Sequence, residues 1–576
     1  MRNIGDPRQQ LLFDPFERIF SPLAYKIIKN GWQGLFRHVI LELLPAEVLA
    51  GEFHPEIGRP TKELYSMAGL IFMSEFLDWK TEQAAEAYMF HTDIWYALNL
   101  KSEPQSMSTR TIERYQKIFR ENDLANGIMT DVTSRLIKLL DQNISEQRLD
   151  STHVFSDMAS FGRTRLMGVT IKRFLAQVIR HNNKTYEELP EELRLRYKPS
   201  QGLLFADTAK GKENRKLLRQ QVAEDMYTLV ELFVDDDKFN ERSTFKALYT
   251  VFKEQCNVIE EKVEIKKETG GSVIQNPSDP DATFDGHKGQ GYQAQIAETC
   301  ADSNETQLIT CVIPQTASDS DTQVIEQVCE ALKESDLLPK QMLADTLYGS
   351  DDNVQKCAQH KFDLISPVSG KPPKPGKKTI GDFKVDEETK TVQTCPAGHT
   401  PVKSTYNKKT GKTRTDMSAE HCLSCKFKKD CPVRKVKHGY RLYHTSKQHR
   451  LDKRRKNEKT DEFRKVYSKR AGIESTNSGI KRRTGMSRLR VRGKGSVYQA
   501  MILRMAGWNI LQAAKTRKAR EYVRQQMARL CQHPDKGVIK GLSHIFGLKR
   551  PMWMRFIGCS KINADWLVPK PARQVA

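Results

Sequence analysis

Three acidic residues stand far apart in the chain, each in a setting where an acid could do chemistry. Asp150 lies in SEQRLDSTHVF, flanked by Leu149 and by the β-prone Thr152 and Val154. Asp345 lies in MLADTLYGS, after Met342, Leu343 and Ala344 and just before a turn. Glu474 is the single acid of VYSKRAGIESTNSGIKRR (Val466–Arg483), surrounded by Lys469, Arg470, Lys481, Arg482 and Arg483. Cutting or joining a phosphodiester asks little covalent chemistry of a protein. It needs two divalent ions, about 3.5–4 Å apart, to activate the attacking oxygen and stabilise the leaving one. Hard cations take carboxylate oxygens, so such a site needs acids that meet in space. In open α/β sheets, ligands bind beyond the carboxyl ends of strands, where Asp345 falls. Taken alone, each aspartate reads equally well as a turn or capping residue. Asp157, Asp285, Asp302, Asp351 and Asp352 also lie near strand ends, and spacing does not separate them from the first two.

The surroundings of Glu474 are more specific. On a helix turning about 100° per residue, Tyr467, Arg470, Glu474 and Lys481 project within an arc of roughly 60°. Lys469, Arg482 and Arg483 project elsewhere. A phenol, a guanidinium, a carboxylate and an amine on one stripe suit a metal-binding glutamate flanked by phosphate-holding groups, the arginine as a bidentate clamp and the lysine as a point charge. The bland alternative is a chance polar stripe on an exposed helix. Gly472 and Gly479 weaken such a helix by up to ~1 kcal/mol each, so other forces must hold it. Beyond it, Lys481, Arg482, Arg483, Arg488, Arg490, Arg492 and Lys494 follow without an intervening acid. A run of that kind neutralises phosphates, and binding through it should weaken with salt; a solvated basic loop is the other reading.

A second constellation is made of cysteines. TCPAGH (Thr394–His399) and HCLSCKFKKDCP (His421–Pro432) bring Cys395, Cys422, Cys425 and Cys431 close in sequence, with His399 and His421 beside them. A Cys-x-x-Cys knuckle with two further soft ligands is what tetrahedral zinc takes, and the four cysteines are the expected ligand set. The alternative is reduced thiols in a β-rich insert. Lys426, Lys428, Lys429, Arg434, Lys435 and Lys437 surround them, so this region could also touch DNA. The other cysteines, Cys256, Cys300, Cys311, Cys329, Cys357, Cys531 and Cys559, are scattered, which fits a reducing cytoplasm rather than a disulfide scaffold.

The elements that must position these residues can be read along the chain. Its 576 residues are enough for several domains, and 38% hydrophobic with 29% charged residues suits a globular protein with sizeable cores. Lysine and arginine number 94 against 71 acids, a formal charge of +23 that points to a polyanionic partner. The most apolar window, Tyr65–Trp79, is interrupted by Glu75 and Asp78 and falls short of the ~20 apolar residues of a membrane helix. MRNIGDPRQQ lacks an apolar signal core, which argues against secretion. Residues 1–135 show helical periodicity, with Ser106, Ser108 and Thr109 as helix caps. From about 145, strand and helix alternate (YQAQIAETC, TQLITCVIPQ, DTQVIEQVCEALKES, MLADTLYGS, DDNVQKCAQH, FDLISPV), which argues an α/β sheet. A charged, helix-period region from 164 to 269 interrupts it. After the Pro/Lys linker KPPKPGKK and the cysteine segment, helix returns from His449 to Arg483. SVYQAMILRMAGWNILQAAKTRKAREYVRQQ then reads as one amphipathic packing helix that buries Met501, Ile502, Met505, Trp508, Ile510 and Leu511.

With these residues in view, the chain resembles the DDE transposases of bacterial insertion sequences. Tyr467, Arg470, Glu474 and Lys481 match that superfamily's Tyr-Arg-Glu-Lys spacing without a gap. LDST (Leu149–Thr152) and ADTLYGS (Ala344–Ser350) look like its first and second aspartate motifs, and GYQAQIAET like the strand between them. GRPTKELYSMAGLIF and STRTIERY resemble the helical N-terminal domain, so the likeness runs over roughly 40–515. It implies an α/β fold: an RNase-H-like catalytic core with an α-helical N-terminal domain, a helical insertion and a Cys-rich β insertion. The expected division is a DNA-binding helical domain at 1–140, the core at 141–163 and 285–370, the helical insertion at 164–284 and the Cys-rich insertion at 371–448. The catalytic helix, basic loop and packing helix take 449–515, and a basic tail 516–576. The resemblance further implies that Asp150, Asp345 and Glu474 hold two Mg²⁺ (or Mn²⁺). Arg470 and Lys481 would contact phosphates near the cut, Tyr467 would position the strand end, and Arg482, Arg483, Arg488, Arg490 and Arg492 would extend the DNA contact. The implied activity is metal-dependent cleavage at transposon ends and strand transfer into target DNA. A DNA-binding regulator derived from a transposase and a metal-dependent nuclease without strand transfer are the alternatives. The implied partners are double-stranded DNA, as ends and target, and further copies of the chain as a homodimer or higher oligomer, in the bacterial cytoplasm at the nucleoid and without a membrane.

Overall fold

The computed structural model describes residues 1–9, 14–100, 106–206 and 211–532. The basic tail expected from 516 lies, from 533 onward, outside the described residues, as does Cys559, and the side chain of Cys531 is also outside them. The chain divides into two compact units, 1–142 together with the chain from 506, and 143–505. Among the described residues no helix is long and apolar enough to cross a membrane.

The first unit is helical. Its centre is Leu64–Phe76, apolar on all sides and buried at every position but Tyr65, as a helix surrounded by other helices must be. Glu63 fixes where it starts, its carboxylate accepting from the backbone N–H groups of Tyr65 (3.0 Å) and Ser66 (2.6 Å). Ser108 does the same for Thr109–Glu121, accepting from Thr111 N–H at 3.2 Å.

The second unit is built on a mixed sheet. Its strands are β1 (Glu146–Val154), β2 (Gly289–Thr299), β3 (Ile309–Thr316), β4 (Gln341–Ala344) and β5 (Asp363–Ile365), with a short sixth strand, Thr283–Asp285, antiparallel to the start of β2. β1 is central, antiparallel to β2 from Gln147 opposite Thr299 to Val154 opposite Tyr292, and parallel to β4 with Glu146 opposite Gln341. β5 adds parallel to β4, and β3 adds antiparallel to the other side of β2. Connections α1 (Ile325–Glu334) and α2 (Asp351–Gln359) pack against β3, β5 and each other.

Between β1 and β2 the chain makes a helical body with its own apolar core. Phe174, Phe233, Phe239 and Phe245 interlock there, Phe174 and Phe233 edge to face at 5.0 Å. This stretch is not all helix. Cys256–Ile259 and Lys262–Ile265 form a hairpin in what the periodicity assigns to helix. Its two turn residues, Glu260 and Glu261, both take positive φ (50° and 61°), the backbone twist a tight two-residue hairpin requires. The segment after β5 carries a four-stranded sheet (Lys403–Asn407, Lys412–Met417, Gly439–Thr445, Arg434–Val436) and a two-stranded one (Lys384–Val385, Val392–Thr394).

Helices then return as α3 (Ser446–Asn457), α4 (Asp461–Ser468), α5 (Gly472–Thr484) and α6 (Lys494–Ala513). Two expectations need correction. The single helix carrying Tyr467 through Lys481 is broken by a 3₁₀ turn at Lys469–Ala471, so the face projected from ideal α geometry bends. The packing helix is also two: α6 ends at Ala513, and Arg517–Gln532 starts anew. Thr516 makes the break, its hydroxyl donating to Ala513 O (2.7 Å) and accepting from Ala519 N–H (3.2 Å). Met501, Ile502, Met505, Ile510 and Leu511 are buried as expected, but Trp508 is only half-buried. The contacts divide the chain at 505/506, inside α6.

Candidate active site

Alternation along β1 sends Arg148, Asp150 and Thr152 to one face of the sheet and Leu149, Ser151 and His153 to the other. On the first face lies α5. Its attachment is a buried ion pair: Arg148 Nε meets Glu298 Oε2 at 3.1 Å, with both residues under a tenth exposed. Thr476 Oγ1 donates to Glu298 Oε1 (2.7 Å), and Arg148 Nη1 donates to Lys469 O (2.8 Å). Burial pushes the Glu298 carboxyl up, and Arg148 opposes it. Gly472, read in the sequence as a weakness, is a requirement of this contact. A Cβ there would collide with the Arg148 guanidinium. Lys469 is held outside the stripe by Glu146 (2.7 Å) and Asp302 (2.8 Å).

This anchoring places Arg470 beside Glu474. Arg470 lies within electrostatic reach of Asp150, Asp345, Glu474 and Tyr467. Its Nη2 pairs with Glu474 Oε1 at 3.0 Å, and its Cζ lies 6.0 Å from the Tyr467 ring centre. Asp345 is the first residue beyond β4. One oxygen caps the following turn, accepting from Leu347 N–H at 2.8 Å, so the capping and the functional readings of this residue are compatible. Asp150 is half-buried in β1. Burial pushes its pKa up to about 6, Asp345 and Asp321 add to the rise, and Arg470 and the Ser151 N–H oppose it. Lys481 is lowered by burial, with Asp150 acting against that. Glu474 is the outlier: its side chain is 65% exposed and turned to Arg470. Among the described residues, no three His, Cys, Asp or Glu side chains stand in a geometry that could hold a metal ion.

The basic loop after α5 is stitched to the end of β1. Phe155 N–H donates to Ser487 O (3.1 Å), Leu489 N–H to Phe155 O (2.8 Å) and Asp157 N–H to Val491 O (3.0 Å). Its arginines therefore follow the C-terminal end of β1, beyond Val154. Arg482, Arg483, Arg488, Arg490 and Arg492 are exposed, with Arg492 paired to Asp157 at 3.3 Å and Arg488 donating to Met158 O at 3.4 Å. The remaining strand-end acids have structural partners: Asp302 with Lys469, Asp351 with Arg450, Asp352 with Lys447, and Asp285 with the N–H groups of His287 and Lys288.

Two site residues escaped the sequence. Asn477, one turn after Glu474, points Nδ2 at Asp150 Oδ2 (3.4 Å), and its buried Oδ1 has no partner. Asp321 is buried against Lys288 (3.0 Å), Ser151 (3.1 Å) and Gln295 (2.7 Å), within electrostatic reach of Asp150. In DSDTQ it reads as a turn residue, and an asparagine inside a basic helix gives no signal at all.

The four clustered cysteines are free thiols that line one small cavity with His399 and His421. Burial pushes Cys422 up to about 11, and the three other thiols add to it.

Among known proteins, the family model described as "Transposase DDE domain" matches residues 394–514. None of the curated proteins compared matches the chain. A solved structure, "Cryo-EM structure of piggyBac transposase synaptic complex with hairpin DNA", aligns over 96% of this chain and 88% of that one. At 8% identity and a TM-score of 0.27, that likeness carries no weight for fold or function. The part of the chain holding the cysteine cluster, Arg470, Glu474, Lys481 and the basic loop is thus similar to the DDE domain of transposases.

Proposed function

We propose that this chain is a DDE transposase of the bacterial insertion-sequence type, with an RNase-H-like core, that cleaves DNA at transposon ends and transfers the freed strand into target DNA. The observation that carries the reading is Arg470, paired with Glu474 and within electrostatic reach of Asp150 on a central strand and Asp345 at the end of its parallel neighbour. The mixed sheet with β1 at its centre supports the core assignment, and the match over 394–514 supports the class.

Three carboxylates are the donor chemistry that hard cations take, although among the described residues these side chains do not stand in metal-holding geometry. Burial pushes Asp150 up to about 6, with Arg470 opposing the rise. Only Glu474 has a salt-bridge partner, and that bridge is exposed on the glutamate side. Mg²⁺ (or Mn²⁺) held by these three carboxylates would activate the attacking oxygen and stabilise the leaving one. Everything else is work for the protein. Arg148, Glu298 and Thr476 hold α5 on the sheet so that Glu474 stays near the aspartates. Arg470 offers a guanidinium to a phosphate once Glu474 turns inward, and Lys481 a second positive charge beside Asp150. Asn477 orients the Asp150 carboxylate. The exposed arginines of the basic loop neutralise flanking phosphates. In cleavage a water oxygen bonds the scissile phosphorus and the P–O3′ bond breaks. In joining, the freed 3′-hydroxyl takes the place of that water.

The test is purified protein with Mg²⁺ and DNA carrying the element's ends. Asp150→Asn, Asp345→Asn and Glu474→Gln should each abolish nicking while leaving end binding intact. Unchanged cleavage in any of them overturns the site. Binding without nicking by the intact chain would make it a transposase-derived regulator, and nicking without joining a nuclease. Assembly as a homodimer or higher oligomer on paired DNA ends is the expected architecture, read out by mass photometry.

A further inference from the structure

The segment from 371 to 445 has to hold two small sheets together around four buried apolar side chains, Ile380, Phe383, Val392 and Leu442. A module of about 75 residues cannot rest on so small a core without a staple, either covalent or metallic. Packed directly against that cluster are Cys395 and Cys431. With Cys422 and Cys425 they line a cavity of about 20 Å³, room for one small ion. The thiols arrive on separate turns. Cys395 opens a tight turn that Gly398, at φ +89°, closes with its N–H on Cys395 O (2.9 Å). Cys422 comes from the helix Ala419–Leu423, and Cys425 opens the next turn, closed by Lys428 N–H at 3.0 Å. Cys431 follows, its N–H on Phe427 O at 2.8 Å. His399 and His421 stack ring on ring at 4.3 Å and 12°, occupying each other's faces at the cavity wall.

We propose that this cavity is a structural zinc site closed by the thiolates of Cys395, Cys422, Cys425 and Cys431. Four thiols lining one cavity, two of them in Cys-x-x-Cys spacing, suit a tetrahedral ligand set rather than two separate disulfides. Each thiol releases its proton on binding, so one Zn²⁺ exchanges for four protons and the complex carries two negative charges. Lys426, Lys428 and Lys429, in the same turn region, offset that charge. The thiols do not stand in metal-holding geometry here, so an ion bound at the usual zinc–sulfur distance of about 2.3 Å would draw the turns together and couple its binding to folding of the module. The site is independent of the carboxylates, and either reading can fail without the other.

The experiment is elemental analysis of the full chain, purified without added metal or chelator, together with thiol titration and intact mass. The expected result is about one zinc per chain. It should be lost in the Cys422→Ser/Cys425→Ser double variant and kept in His399→Ala, His421→Ala and Asp150→Asn. Should the double variant be insoluble, protein from cobalt-supplemented cells decides: the intense thiolate-to-cobalt absorption of a four-sulfur tetrahedral site supports the proposal, and its absence overturns it. Metal-free protein with reactive thiols overturns it, as does a mass lowered by two hydrogens per disulfide. Zinc lost with either histidine but kept in the cysteine variant also overturns the ligand set.

Discussion

Replacing Asp150 by asparagine should make the protein more stable and inactive, and the size of the gain follows from the site. Burial lifts the carboxyl from its ordinary 3.8 to about 6. At about 1.4 kcal/mol per pH unit, the ionised carboxylate then costs the folded state about 3 kcal/mol. The folded state binds this proton more tightly than the unfolded chain does. Stability from this group therefore falls as pH rises from 3.8 toward 6, and the full penalty applies above about 6. Asparagine removes the charge but also the acceptor facing Asn477, so a net gain of about 1–3 kcal/mol is expected near pH 8. In a melting experiment with EDTA that is a rise of a few degrees in Tm, shrinking toward pH 4. Magnesium should reverse the order, because only the wild type gains from binding it, by about 2.7 kcal/mol at a hundred times Kd. If Asp150→Asn melts no higher than wild type in EDTA at high pH, or if the gap does not change with pH, the carboxylate is not strained by burial and the reasoning fails.

Glu298→Gln leaves Arg148 buried without its counter-charge and should cost about 3–5 kcal/mol, seen as a lower urea midpoint with a loosened α5 in hydrogen exchange. Gly472→Ala, which in an exposed helix would add stability, should here lose about 1–3 kcal/mol, because the new Cβ meets the pinned Arg148 guanidinium. Asn477→Leu should slow cleavage about tenfold with little change in melting, while Asn477→Asp should not restore the rate. Arg482→Ala and Arg483→Ala should each reduce the salt slope of DNA binding by about one and weaken all sequences alike.

The residues that carry charge in unusual company were legible in the sequence; the groups that place them were not. Asp150 and Asp345 stood out because acids next to apolar strand residues are rare, and the structure sets both within reach of Arg470. Glu474 stood out as the lone acid among bases. Periodicity could not see the 3₁₀ turn at Lys469–Ala471, since a tightened turn preserves the three- and four-residue spacing it relies on. The hairpin at Cys256–Ile265 was hidden because VIEEKVEI keeps enough charge to pass for a helix surface, and positive φ at two glutamates leaves no trace in composition. The partnership of Arg148 and Glu298 joins neighbouring strands that are distant in sequence, and only register reveals it. Of the strand-end aspartates, the sequence could not know that Asp302 and Asp351 each answer a cation brought from another element.

The position of β1 in the sheet sets a schedule for the making of this protein. Its partners β2 and β4 are translated more than a hundred residues after it, and α5 more than a hundred residues after β4. The body between β1 and β2 has its own apolar core and can fold while the ribosome is still extending the chain. The sheet closes only when β2 and β4 have emerged, and at about 5–20 residues per second Glu474 follows several seconds later. A chain interrupted anywhere before α5 thus carries folded pieces but no complete set of carboxylates. The carboxylates proposed for the site are therefore together in one chain only after α5 has emerged.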